Sequence, residues 1–213
     1  MAGATELAPA QRRALARLRR LASLRGFYLA GGSAVAFHLR HRRSNDLDLF
    51  SPGAEVDLSA VSDDLARLPD LAVVSATDAV LRVRLGRVAL DVVRYRYPPL
   101  RRPSAGPEGF PVAGLLDLAT MKLAAISVRG IRRDFWDLHE ILTRTSVTLG
   151  RSLDGYVSRY GVKQADLYHV LRALTYFDDA EKEPAPRGLG VSRWRAIKEY
   201  FSERAPEALR RRT

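Results

Sequence analysis

Residues 28–50 read YLAGGSAVAFHLRHRRSNDLDLF, and this stretch decides how the chain is read. Tyr28-Leu29-Ala30 is a short apolar run of the kind a buried strand shows, and Gly31-Gly32 breaks it. Ser33, a favourable N-cap residue, then opens a run suited to a short helix. A strand–Gly-Gly–helix turn points backbone N–H groups outward at a helix N-terminus. The glycines let phosphate oxygens approach that backbone closely. The stretch ends in Asp46-Leu47-Asp48-Leu49-Phe50, where alternation at period two predicts a strand. Asp46, Asp48 and Phe50 then share one face, and Leu47 and Leu49 the other. Neighbouring carboxylates repel, and a hard divalent cation with oxygen ligands, Mg²⁺ or Mn²⁺, relieves that repulsion. Alone, an Asp-x-Asp pair reads first as a solvated strand end; the phosphate-type turn separated from it by thirteen residues gives it a chemical context.

The pattern resembles the polymerase-beta-like nucleotidyltransferases, and the longer string AGGSAVAFHLRHRRSNDLDLF resembles their AbiEii/AbiGii toxin branch. The resemblance implies an α+β fold: a nucleotidyltransferase domain with a mixed β-sheet flanked by helices, over residues 1–112, then a helical domain over 113–213 that contributes Lys and Asp to the active-site cleft. It implies that Asp46, Asp48 and Asp91 are catalytic carboxylates and metal ligands, with an NTP as co-substrate. Gly31, Gly32 and Ser33 would bind its phosphates, with Arg42 and Arg43 as a clamp. The segment MKLAAISVRGIRRDFWDL matches a second piece of the pattern and implies roles for Lys122 and Asp137, fifteen residues apart, and for Asp134. One arrangement is that Asp137 orients Lys122 or an arginine rather than binding metal. The implied activity is transfer of a nucleotide to an RNA acceptor, the tRNA 3′ end, blocking translation until an antitoxin intervenes. An aminoglycoside-type small-molecule acceptor and a non-catalytic nucleotide- or RNA-binding module on the same fold are the competing expectations.

The bulk properties agree. The 213 residues carry 35 Lys+Arg against 24 Asp+Glu, a net charge of +11. Both halves are basic, which suits a polyanionic partner and disfavours a cationic drug as acceptor; a compositional preference for arginine would give the same excess. There is no cysteine, hence no disulfide and no thiolate chemistry. No apolar run reaches membrane-spanning length, and MAGATELAPAQRR lacks a signal-peptide core, so a cytoplasmic location is expected.

Along the chain, the spacing of Leu15, Leu18, Leu21 and Leu24 predicts a helix over 8–25 whose arginines form a solvated or nucleic-acid-facing surface. A helix is expected over 57–68, then strands over 71–77, 80–85 and 88–94, the last two joined by a Gly86-Arg87 hairpin turn. Asp91 is the only charge in VALDVV and should face a cation, metal or arginine. The proline-rich segment 95–112 reads as a linker whose Tyr95, Tyr97, Arg96, Arg101 and Arg102 could meet exposed bases. Helices are expected over 114–128, 132–144, 152–160, 164–177 and 192–204, stopping near Pro206 before a frayed RRRT tail. Lys122, within an apolar helix, either snorkels to solvent or aims its ammonium at nucleotide phosphates.

Overall fold

The structure, a computed structural model, describes residues 7–212; the first six residues of the N-terminal segment and Thr213 of the basic tail lie outside it. The chain forms two compact units that divide between Gly114 and Leu115.

The first unit is built on a seven-stranded mixed sheet. In chain order its elements are α1 (Pro9–Leu18), β1 (Tyr28–Ala30), α2 (Gly31–Leu39), β2 (Asp46–Phe50), α3 (Leu58–Ala66), β3 (Leu71–Ala76), β4 (Val80–Leu85), β5 (Val88–Val93), β6 (Ser104–Ala105) and β7 (Pro111–Val112). The strands lie in the order β3-β4-β5-β2-β1-β7-β6. The β2–β5 and β1–β7 pairs are parallel and the others antiparallel. Period-two alternation sorts the two faces. Leu47 and Leu49 of β2, Leu81 and Val83 of β4, and Leu90 and Val92 of β5 share one buried face. Helices α1 and α3 pack on that side of the sheet, supplying Leu15, Leu18, Val61 and Leu65 to the core. Full burial of each such leucine contributes about 1.5–3 kcal/mol. The opposite face carries Asp46, Asp48, Asp91 and Arg82.

Two expectations for this unit need correcting, the extent of the first helix and the linker over 95–112. The first helix ends at Leu18 rather than 25, and Ala22–Leu24 forms a separate 3-10 turn that buries Leu24. Two of the helix's arginines, both still partly exposed, have partners: Arg17 pairs with Asp70 at 2.9 Å and Arg12 with Glu108 at 3.3 Å. Segment 95–112 is no free linker, because β6 and β7 add two strands to the sheet. Its rings pack on protein: Tyr95 meets Phe50 with centroids 5.0 Å apart, Tyr97 meets Tyr95 at 5.5 Å, and Arg96 lies over Tyr97.

The second unit is helical: α4 (Leu115–Val128), α5 (Arg132–Arg144), α6 (Leu149–Tyr160), α7 (Leu167–Ala173), α8 (Asp178–Lys182) and α9 (Val191–Arg210). Helix α4 packs against α5, α6 and α7. Phe135 sits among the rings of Phe177, Trp194 and Phe201, at centroid distances of 5.3, 5.9 and 5.8 Å. A fully buried ion pair, Arg159 Nη1 to Asp117 Oδ1 at 2.6 Å, ties α6 to α4. The expected helix over 164–177 is a 3-10 turn followed by the shorter α7. Helix α9 runs through Pro206 to Arg210, so the stop expected there does not occur. Its end is fastened where fraying was expected: Arg212 Nη2 donates to Gly150 O at 3.0 Å and Asp154 Oδ1 at 2.6 Å.

Candidate active site

Strand β1 passes into α2 without a loop. The helix begins at Gly31 with Ala30 as N-cap, so Ser33 lies inside the first turn and is not the cap. Ser33 is fully buried, and its hydroxyl donates back to Ala30 O at 3.3 Å. Gly31 has φ +61°, and a Cβ there would stand 1.9 Å from Asp48 Oδ2. The Asp48 carboxylate is therefore packed onto the glycine at the N-terminus of α2, where the helix dipole favours negative charge. The β1–β2 register sets this contact, since Ala30 lies opposite Asp48.

Gly32 is equally crowded, by a cation. A Cβ there would stand 2.4 Å from Arg42 Nη2 and 3.3 Å from Ser44 Oγ. Arg42 is only 6% exposed, and its Nη1 donates to Arg43 O at 3.0 Å. Arg43 itself is exposed. The loop is tethered to α1 by Gln11, whose Nε2 donates to Ser44 O at 3.0 Å. Sequence reasoning missed Gln11. The signal was present: it is a polar residue on the same helical stripe as Leu15 and Leu18, and it is 3% exposed.

Asp91 stands directly beside Asp48 in the parallel β2–β5 register, while Asp46 lies opposite Ala89. Adjacent strands are about 4.8 Å apart, so the three carboxylates share one face at neighbouring positions. Asp91 is about one-third exposed rather than buried, and its Oδ2 accepts from Arg82 Nε at 3.3 Å. Among the described residues no three His, Cys, Asp or Glu side chains converge as a metal cage requires. The donor set suits a hard cation in chemistry, all carboxylate oxygen, with Asp46 and Asp48 on one strand and Asp91 at the neighbouring position of the next. In the arrangement seen here, Asp91 is turned to Arg82.

The second unit holds the other predicted residues. Lys122 of α4 is 6% exposed, so it does not snorkel. Its Nζ donates to Asp134 Oδ1 at 2.8 Å and lies 2.7 Å from Asp137 Oδ2, both on α5. Arg129 Nε completes the cluster, 3.0 Å from Asp134 Oδ2. Burial opposes the charge on Lys122, but the two carboxylates outweigh it and hold its pKa above the ordinary lysine value. Burial likewise opposes ionisation of Asp134, and Lys122 with Arg129 overrides it, leaving the carboxyl below the usual range. Asp137 thus forms a buried ion pair with Lys122.

A glycine turn at a helix N-terminus, an arginine laid over it and carboxylates on the adjoining strand together suit phosphate chemistry. Comparison with known proteins agrees. Residues 13–211 match the family described as nucleotidyl transferase AbiEii toxin, Type IV TA system. The uncharacterized protein aq_aa25 of Aquifex aeolicus is 30% identical over 201 residues, spanning 93% of this chain and 96% of that one. Among solved structures, the fold is similar to MenT4, nucleotidyltransferase toxin Rv2826c from Mycobacterium tuberculosis H37Rv. That match has a TM-score of 0.62 and 18% identity, over 94% of this chain and 86% of MenT4. It is also similar to the antibiotic-resistance factor ANT(2'')-Ia, at TM-score 0.53 and 16% identity, over 75% of this chain and 98% of that one.

The fold is that of a nucleotidyltransferase. The chain belongs to the AbiEii family of nucleotidyl transferase toxins, and is an enzyme of that class.

Proposed function

We propose that the chain transfers a nucleoside monophosphate from an NTP to an RNA acceptor, the tRNA 3′ end, and thereby halts translation in the cytoplasm until a cognate antitoxin restrains it. The observation that carries this reading is the contact of Asp48 with Gly31, which sets a carboxylate against a phosphate-type turn with Asp46 and Asp91 on the same face. The net charge of +11 supports a polyanionic acceptor over a cationic one.

In this reading the backbone N–H groups of the first turn of α2 and the Arg42 guanidinium bind the triphosphate. Asp46, Asp48 and Asp91 would hold Mg²⁺ or Mn²⁺. Such a cation, when bound, supplies positive charge to the phosphates and acidifies a nearby hydroxyl. The acceptor hydroxyl oxygen bonds to the α-phosphorus, the bond from that phosphorus to the bridging oxygen breaks, and pyrophosphate departs. The alternative role for Asp91 is as the base that takes the hydroxyl proton. Lys122, held by Asp134 and Asp137, would add positive charge toward the nucleotide phosphates in the same reading, with the two carboxylates positioning it; Arg43, exposed beside Arg42, is assigned to the nucleotide.

The test is incubation of purified protein with total tRNA, Mg²⁺ and each labelled NTP separately, beside Asp46→Ala. Label entering tRNA from one NTP and lost in the variant is the expected result. No transfer from any NTP overturns the RNA reading and returns the small-molecule acceptor or the binding module.

A further inference from the structure

Among the described residues six large hydrophobic side chains stand exposed, and three of them, Val128, Tyr168 and Tyr176, border one groove of about 440 Å³ in the helical unit. Tyr168 is 53% exposed and Tyr176 50%. They are the two large aromatic residues left open to solvent among the described residues, and both are here. Tyr168 comes from the first turn of α7, and Tyr176 from the turn that follows it, where its backbone N–H bonds to Ala173 O. Both rings are thus carried on hydrogen-bonded backbone.

The charged groups of the groove are mainly cationic. Arg129 and Arg172 line it, and its one acidic residue, Asp179, is paired with Lys182 at 2.6 Å. The Arg129 side chain is 59% exposed while its Nε is held by Asp134. Asp134 in turn holds Lys122, so the rim of the groove is wired to the buried Lys122 cluster.

Exposed aromatic faces beside guanidinium groups match the demands of a single strand. Unstacked bases offer π-faces to the rings, and the backbone offers phosphates to the arginines. A duplex hides its base faces, and a cationic partner would be repelled. We propose that this groove holds a single-stranded segment of the RNA acceptor, with bases against Tyr168 and Tyr176 and phosphates at Arg129 and Arg172. The proposal rests on the acceptor being RNA.

The test is fluorescence anisotropy of a labelled single-stranded RNA of about ten nucleotides, within the span of known single-strand sites, without NTP. Base–aromatic stacking predicts that Tyr168→Ala with Tyr176→Ala weakens binding about tenfold or more. Tyr168→Phe with Tyr176→Phe, which keeps both rings, stays within about threefold of the parent. Arg172→Gln lowers the slope of log affinity against log salt by about 0.7, as loss of one phosphate contact on a single strand requires. Unchanged binding in the alanine pair, equal loss in the phenylalanine pair, or no binding by the parent chain overturns the proposal and leaves the groove to a protein partner. Because binding is read without chemistry, failure of nucleotide transfer is scored separately in the tRNA assay.

Discussion

Asp48 Oδ2 occupies the space that a side chain at residue 31 would need, 1.9 Å from the position of its Cβ. The glycine is required twice, by this overlap and by its φ of +61°. The left-handed conformation alone costs a non-glycine residue about 1–2 kcal/mol. Gly31→Ala therefore lowers stability by at least that amount and, by displacing Asp48, lowers transfer about 100-fold or more, since every 1.4 kcal/mol lost from transition-state binding is tenfold. A double-mutant cycle checks the contact. With Asp48→Ala in place, Gly31→Ala should retain only its backbone cost, a non-additivity that denaturant unfolding measures.

The Lys122 cluster is buried, and breaking it strands charge. Lys122→Met takes the buried ammonium from both carboxylates and leaves Arg129 as the cation on Asp134, and is expected to cost about 3–5 kcal/mol. Urea unfolding of the variant measures this. A loss below about 1 kcal/mol would mean that the carboxylates find water or other cations, contrary to their burial at 1% and 0% exposure.

The same cluster sets a pH profile. The Asp134 carboxyl is held below its ordinary value, so its contribution is present above pH about 4 and is lost as pH falls through the folded pKa. Lys122 is held above its ordinary value, so its contribution is present below pH about 10 and is lost as pH rises through the folded pKa. His139 adds an acid-side slope of its own. Burial lowers its pKa, helped by Arg193 and opposed by Glu140, so stability declines as pH drops below about 6.5. Unfolding free energy against pH should show a plateau between these limits. His139→Gln should remove the slope near neutrality, and Lys122→Met the alkaline one.

Arg82 and Asp91 separate a structural from a chemical role. Their ion pair is 3.3 Å long, with the arginine side chain 60% exposed. Arg82→Ala should change stability by no more than about 0.5 kcal/mol. Asp91→Asn should be as mild on folding, yet under the proposed mechanism should reduce transfer about 100-fold or more, within the usual worth of a positioned acid–base group. Equal transfer by Asp91→Asn and the parent chain would reduce Asp91 to a surface ion pair.

Gln11 tests how the loop over Gly32 is held. Gln11→Ala removes the hydrogen bond to Ser44 O and should cost about 1–2 kcal/mol. If that tether keeps Arg42 over the turn, the KM for NTP rises while thermal unfolding shows a single transition.

The sequence by itself determined the local pieces. Gly31-Gly32 marks a close backbone approach, Asp46 and Asp48 share a face because strand side chains alternate, and helical spacing places Lys122 on α4 with Asp134 and Asp137 together on α5. The family, too, was legible in those strings, because the turn and the strand lie within one short segment. What only the tertiary structure decided is non-local. Asp91 stands beside Asp48 because β5 enters parallel to β2 after α3 and the β3–β4 hairpin, a register that no local pattern encodes. Two strands emerge from the proline-rich segment because β1 offers an edge for β7 to pair with. Lys122 finds Asp134 and Asp137 through the packing of α4 on α5, which converts a lysine that could have snorkelled into a buried, charge-satisfied one. Periodicity fixes which way a side chain faces along its own element; the partner it meets there is chosen by how distant segments pack.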